Sequence, residues 1–182
     1  IPSFARFLEV ISFSHSALIN AAEIARETGA SRNTIISYLE ILQDILVSFR
    51  VPIFSKRAKR HLVGHDKFYY FDCGIFRTIR PAGTLDRPEE IQGAALEGLV
   101  AQHLRAYLDY SGNGGGLYFW RTKAGNEVDF VVYSDKLFLA IEVKHSSTVR
   151  DRDLSGLISF GEDYPTAQRF LLYRGTEKLK IK

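Results

Sequence analysis

Two neighbouring runs, EVDFVVY (Glu127–Tyr133) and KLFLAIEVK (Lys136–Lys144), are rich in β-branched and aromatic residues and still carry Asp129, Glu142 and Lys144. Apolar runs of this length and composition read as buried strands. An ionised carboxylate in such a strand costs roughly several kcal/mol unless it is paired or binds a cation. The chain therefore puts these charges at solvated strand ends, or builds its sheet around a charged site. Alternation of side chains places Glu127, Asp129, Val131 and Tyr133 on one face, and Phe138, Ala140, Glu142 and Lys144 on one face of the next run. A turn at Ser134–Asp135 would make the two runs antiparallel neighbours and bring Asp129 and Glu142 together, with Lys144 beside them.

Two carboxylates and a lysine on one face suit a definite chemistry. Hard oxygen ligands hold Mg²⁺ or Mn²⁺, and such an ion lowers the pKa of a bound water and stabilises phosphoryl-transfer charge. A lysine can position that water or neutralise developing charge. The plain alternative is a ladder pair of Glu142 with Lys144 at a sheet edge, with Asp129 ending a strand.

The rest of the chain divides into two halves near Pro88. Before it, Phe4, Phe7, Leu8 and Ile11 form one helical stripe, and Ile24, Ile35, Ile36, Leu39, Leu42, Ile45 and Leu46 form others. Asn20 suits an N-cap with Glu23 completing a capping box, Gly29 a helix end, and Ser31 the next cap. Strand-like segments follow at Val47–Phe54 and Phe68–Phe71. After Pro88, Glu89–Tyr110 reads as a long helix ended by SGNGGG (Ser111–Gly116). Three strands, a helix near Asp151–Phe160 and a strand around Arg169–Tyr173 complete an α/β (α+β) pattern. The expected domains are 1–87 and 88–182.

The first half carries its own signature. In INAAEIARETGASRNTIISYLEILQ, Ala25 is small where two helices would cross, Gly29 supplies a left-handed turn four residues later, and Ile35 plugs between the helices. This resembles the helix-turn-helix of bacterial and archaeal DNA-binding proteins, whose second helix enters the major groove. On that resemblance Arg32, Asn33, Thr34, Ser37 and Tyr38 lie on or near the groove-facing surface. The following VPIFSKRAKRHLVGHDKFYYF reads as strand, basic turn, strand, as in a winged helix. From Arg50 to Lys67 six basic residues face one acid, Asp66, and Lys56, Arg57, Lys59 and Arg60 are the candidate phosphate contacts. Winged helices also serve as protein-binding modules, and a basic hairpin also suits an acidic partner.

An acidic helix, then Asp129, then Glu142-Val143-Lys144 resembles the PD-(D/E)XK nuclease superfamily. The resemblance implies a mixed sheet flanked by helices, with Asp129 and Glu142 as metal ligands and Lys144 in catalysis. Glu97, in ALEGLVAQHL, matches the glutamate often added by the preceding helix and would complete both the metal set and the catalytic set. Two departures are visible: Val128 stands where the pattern has proline, and DRDLSGLISF lacks a Gln-x-x-x-Tyr. The wider order, a winged helix, FYYFDCGI, LEGLV, GNEVDFVV and IEVK, resembles the C-terminal region of a prokaryotic AAA+ ATPase family whose function is unassigned. That implies DNA and the chain's own N-terminal ATPase domain as partners, with ATP entering only through that domain. No G-x-x-x-x-G-K-[ST] occurs here.

Composition excludes several classes. The 182 residues are 46% hydrophobic, enough for a real core and too apolar for disorder. One cysteine, Cys73, leaves no disulfide framework and fits a reducing compartment. No Cys/His spacing suggests zinc, and nothing near Cys73 suggests a thiol nucleophile. No apolar run reaches 18 residues, so a cytoplasmic protein without a membrane span is expected. The net charge of +3 is too mild to identify a partner by itself. A chain that opens on Ile1 and has no methionine reads as a piece of a longer protein, and assembly into oligomers stays open. Two functions follow: a DNA-binding winged helix joined to a Mg²⁺-dependent nuclease, or the same fold as an inactive DNA- or protein-binding regulatory module. A pure protein-interaction module is a third.

Overall fold

The computed structural model describes residues 2–56, 64–112 and 114–179. Among the described residues, six α-helices accompany seven strands that form two sheets in an α+β arrangement. The first unit runs α1 (Pro2–Ser12), β1 (Ala17–Leu18), α2 (Ala21–Thr28), α3 (Arg32–Asp44), β2 (Ser48–Val51) and β3 (Lys67–Tyr70). Its three-stranded sheet is antiparallel, in the order β1-β3-β2.

Local chemistry explains the helix boundaries. The Asn20 side chain accepts the Glu23 N–H, and Glu23 accepts in return from the Asn20 amide, 3.0 Å away. Gly29 takes a left-handed φ of 68°, which ends α2 without a Cβ penalty. The Ser31 hydroxyl then accepts the Thr34 N–H at 3.1 Å and starts α3. The helices close over a core of Phe7, Val10, Ile11, Ile24, Ile35, Leu39 and Leu42. Inside it His15 takes the Tyr70 N–H on Nδ1 at 3.1 Å and stacks on Phe76 at 4.1 Å. Burial pushes the His15 imidazole down to about 4.

A short helix not expected from the sequence, α4 (Cys73–Ile79), follows β3 and is capped by Asp72, which accepts from Gly74 and Ile75. Then come α5 (Pro88–Ser111), β4 (Gly116–Arg121), β5 (Glu127–Tyr133), β6 (Phe138–Lys144), a 3₁₀ turn at Asp151–Leu154, α6 (Ser155–Asp163) and β7 (Gln168–Tyr173). Strands β4, β5 and β6 are antiparallel and β7 joins β6 in parallel, in the order β4-β5-β6-β7. Helices cover both faces of this sheet, which is why its two central strands, β5 and β6, are almost continuously buried. On one side Phe130, Val132, Ile141 and Val143 pack with Ala101 and Leu108 of α5. On the other, Val128, Val131 and Ala140 pack with Leu157 and Phe160 of α6.

The two units share these cores. Phe49, Val51 and Tyr69 belong to the cluster beneath α5, and Phe54 sits against Trp120, Phe160 and Tyr164 in the other. The backbone of Pro52 and Phe54 bonds both backbone groups of Phe119, so the outer edge of β4 is partly covered. The expected strand Val47–Phe54 is thus a four-residue strand plus a segment that joins the second sheet through Ile53.

Candidate functional site

Where β5 meets β4, strict alternation fails. Tyr118 pairs with Val131 and Trp120 with Val128, so Phe119 alone stands opposite Asp129 and Phe130. This is a β-bulge, which bends a strand and re-aims a side chain. Val128 and Val131, three positions apart, consequently share the α6-facing cluster, whereas Phe130 packs toward α5. The even face expected for Glu127, Asp129, Val131 and Tyr133 is therefore broken at Asp129. Asp129 Oδ2 instead accepts the Val143 N–H at 2.9 Å, just past the last ladder pair of β5 and β6, Phe130 with Ile141.

Its other oxygen, Oδ1, lies 3.4 Å from Nζ of Lys67, the first residue of β3 and only 2% exposed. That ammonium also contacts Glu97 Oε1 of α5 at 3.2 Å and Glu127 Oε1 at 2.5 Å. Glu97 Oε1 further accepts the Tyr69 hydroxyl at 2.6 Å, and Arg121 reaches the second oxygen of Glu127 at 3.3 Å. On β6, Lys144 donates to Glu142 Oε1 at 2.6 Å, while Glu142 Oε2 is buried without a hydrogen-bond partner. Of the four residues implied by the nuclease resemblance, Glu97 and Asp129 share the Lys67 ammonium, while Glu142 and Lys144 form a separate pair that neighbours them through the bond from the Val143 N–H to Asp129.

Burial and mutual repulsion set its electrostatics. Burial, then the field of Asp129, raises the Glu97 carboxyl to about 7 against the opposing pull of Lys67 and Tyr69. Burial, then Asp129, likewise raises Glu142 to about 8 despite Lys144. Burial alone would lower Lys67, but Glu97, Asp129 and Glu127 together outweigh it and hold the ammonium charged well above its ordinary range. Lys144 is raised in the same way by Glu142 and Asp129. Tyr69 is pushed far up by burial and then by Glu97, so it stays a phenol that donates.

As arranged, these donors do not fit Mg²⁺ or Mn²⁺. Among the described residues no group of three or more His, Cys, Asp or Glu gathers around a point that could hold a metal ion. The oxygens of Glu97, Glu127 and Asp129 converge on an ammonium, and the second oxygen of Asp129 is committed to backbone. Three carboxylates around one lysine make a charge-paired structural centre.

The expected DNA-facing residues are distributed differently. Arg32, Asn33 and Ser37 are exposed on α3. Thr34 shares the cap with Ser31, and the Tyr38 ring packs edge-on to Phe4 at 4.9 Å and against Phe7 at 5.2 Å. Lys56 lies over the Tyr133 ring at 4.3 Å. Arg57, Lys59 and Arg60 lie outside the described residues. No helix among the described residues is long and apolar enough to cross a membrane.

Fold and site together define a two-unit α+β protein with a buried carboxylate–lysine centre on the seam between its units. By sequence the chain belongs to the family described as a domain of unknown function, DUF4143, matched by residues 92–182. Residues 1–86 match a second domain of unknown function, DUF8612. Two proteins similar to this chain are the uncharacterized proteins Mb2031c of Mycobacterium bovis and Rv2008c of Mycobacterium tuberculosis. Each is 30% identical over 143 residues, which cover 76% of this chain and 31% of the relative. The chain thus spans about a third of the length of these curated relatives. No solved structure matches.

Proposed function

We propose that the chain is the DNA-engaging part of a larger AAA+ ATPase-type protein, in which a winged helix is locked onto a PD-(D/E)XK nuclease-like domain that serves recognition and regulation. The order α1-β1-α2-α3-β2-β3 around a three-stranded antiparallel sheet supports the winged helix. The order helix, three antiparallel strands, helix, parallel strand supports the nuclease-like core. Relatives of which the match covers only 31% leave room for an ATPase domain. Exposed Arg32, Asn33 and Ser37 on α3, with exposed Lys56 and a sequence run that also holds Arg57, Lys59 and Arg60, suit a polyanion.

The observation that carries a regulatory rather than a cutting role is the Lys67 ammonium among Glu97, Glu127 and Asp129. A centre already neutralised from within supplies no hydrolytic step. The test is fluorescence anisotropy with labelled duplex DNA at several salt concentrations, together with a cleavage assay in Mg²⁺ or Mn²⁺. Affinity should fall steeply with salt, weaken in an Arg32→Ala/Asn33→Ala chain, and come without cleavage. Salt-insensitive binding, or none at low salt, removes the DNA reading and leaves a protein partner.

One observation favours a second reading, cutting: Asp129 accepts the Val143 N–H between Glu142 and Lys144 and shares the Lys67 ammonium with Glu97. It expects metal-dependent cleavage that Glu142→Ala or Lys144→Ala abolishes without unfolding. A wild-type chain inert on single-stranded, duplex and branched DNA would rule it out.

A further inference from the structure

We infer that β7 is the edge through which two copies of this chain pair, antiparallel and about a two-fold axis at Leu171, joining their second sheets into one. The inference stands apart from the DNA reading of the first unit.

The second sheet has two edges, and they differ. At β4 the segment from Pro52 to Phe54 bonds the backbone of Phe119 and covers that side. At β7, the last strand in the order β4-β5-β6-β7, nothing among the described residues pairs on the outer side. Proteins blunt an open edge by a bulge, a proline, an outward charge or extreme shortness. β7 has none of these devices. Its six residues, Gln168–Tyr173, pair with β6 in unbroken register and include no proline. Its one charge, Arg169, is drawn beneath the sheet, where Nη1 donates to the Leu157 carbonyl at 3.4 Å.

The surfaces beside this edge are apolar as well. In the parallel ladder Phe170 stands beside Ile141 and Leu172 beside Val143, on the side of the sheet that faces α5. Helix α5 packs on β4, β5 and β6, and Phe170 and Leu172 stay 45% and 42% exposed. On the other side the Arg169 guanidinium lies against Gly161 of α6, and Ile158, one turn earlier on that helix, is 54% exposed.

The residue order of β7 selects a second copy as the occupant. Antiparallel strands keep their faces matched only where even residues oppose even and odd oppose odd. When β7 meets itself, the register centred on Leu171 sets Phe170 against Leu172 twice, apolar on apolar. On the other face it sets Leu171 against Leu171, and Arg169 against Tyr173 twice, cation beside ring. Gln168 meets Arg174 at the two ends, and no charge meets its like. The neighbouring registers are poorer. Centring on Leu172 sets Phe170 against Arg174, and centring on Phe170 sets Leu172 against Gln168.

The experiment is sedimentation velocity of the full chain over a series of concentrations, with circular dichroism to check folding and cysteine cross-linking to read the register. The unaltered chain should pass reversibly from monomer to dimer. Phe170→Lys and Leu172→Lys alter exposed side chains, and each change enters a two-fold pair twice. Each should therefore weaken the dimer roughly tenfold or more and leave the monomer folded. In a Cys73→Ser background, Leu171→Cys should cross-link to itself under mild oxidation, because residues opposed across strands lie within disulfide reach. Phe170→Cys should not cross-link alone, and should do so when mixed with Leu172→Cys.

A chain that stays monomeric at every concentration overturns the inference, as does a dimer indifferent to both lysine variants. Should both lysine variants unfold, the cysteine variants decide. Leu171→Cys that cross-links no faster than Phe170→Cys then overturns it. DNA enters none of these readouts, so failure of the DNA reading and failure of this pairing are told apart.

Discussion

The core beneath α1–α3 and the seam between the two units are both largely buried, yet they are built from opposite materials. The first is Phe, Ile, Leu and Val with one neutral histidine; the second sets Lys67 among Glu97, Glu127 and Asp129. Apolar contacts are interchangeable in kind, so each lost methylene costs its own share. Buried charges depend on one another, so removing one turns its partners from assets into liabilities. The seam should therefore fail by whole pairs, and the core by degrees.

The largest expected effect is at the hub. Lys67→Ala should lower unfolding free energy by about 3–5 kcal/mol, because three carboxylates lose their common partner. Adding Asp129→Asn should recover part of that loss, a coupling readable by urea denaturation of the single and double variants. In the apolar core, Leu39→Ala should cost about 2–4 kcal/mol and show little coupling to any seam variant. If the two losses prove equally additive with a neighbour's, the contrast drawn here is wrong.

The pH profile sharpens the same comparison. Glu97 and Glu142 carry folded values of about 7 and 8 against an ordinary 4.5, so the folded chain binds more protons than the unfolded one across that window. Stability from these groups is complete below about 4.5 and is lost progressively as pH rises from there to about 7 to 8. His15 works in the other direction: depressed from 6.5 to about 4, it adds stability as pH climbs between those values and is silent above them. Lys67 and Lys144 hold their charge throughout. The melting temperature should thus fall from about pH 5 to about 8 and level off above, and Glu142→Gln should flatten that slope while Leu39→Ala leaves it unchanged. The smallest effect is at a cap: Ser31→Ala removes one bond to the start of α3 and should cost about 1 kcal/mol at any pH.

Much of this was readable in the residues. The caps at Asn20 and Ser31 and the stop at Gly29 follow from local chemistry, and the span of α5 follows from periodicity and the glycine run after it. Glu97, Asp129, Glu142 and Lys144 were singled out by strand alternation and a motif; in the structure Glu97 and Asp129 share Lys67, whereas Glu142 pairs with Lys144. The bulge at Asp129 was not, since it depends on what β4 offers opposite, and nothing in EVDFVVY marks it. Lys67 was counted with the basic run when it belongs to the seam. The signal that could have found it was present: KFYYF is an apolar strand opening on a charge, the same oddity that singled out EVDFVVY and AIEVK. Tyr69 and Glu127 were missed for a related reason, because each becomes part of the site only through Lys67.

The strip of chain from Pro52 to Phe54 has a practical consequence. By bonding Phe119 it shields one raw edge of the second sheet, and by seating Phe54 it fills a hollow among Trp120, Phe160 and Tyr164. Both belong to the first unit, whereas the family match begins only at residue 92. A fragment cut to that match would have an unshielded border strand, an open aromatic socket and unneutralised acids. These are the features that make a protein stick to copies of itself. The border that sequence families draw through this chain is thus a poor place to cut it, and soluble expression is best sought with both halves together.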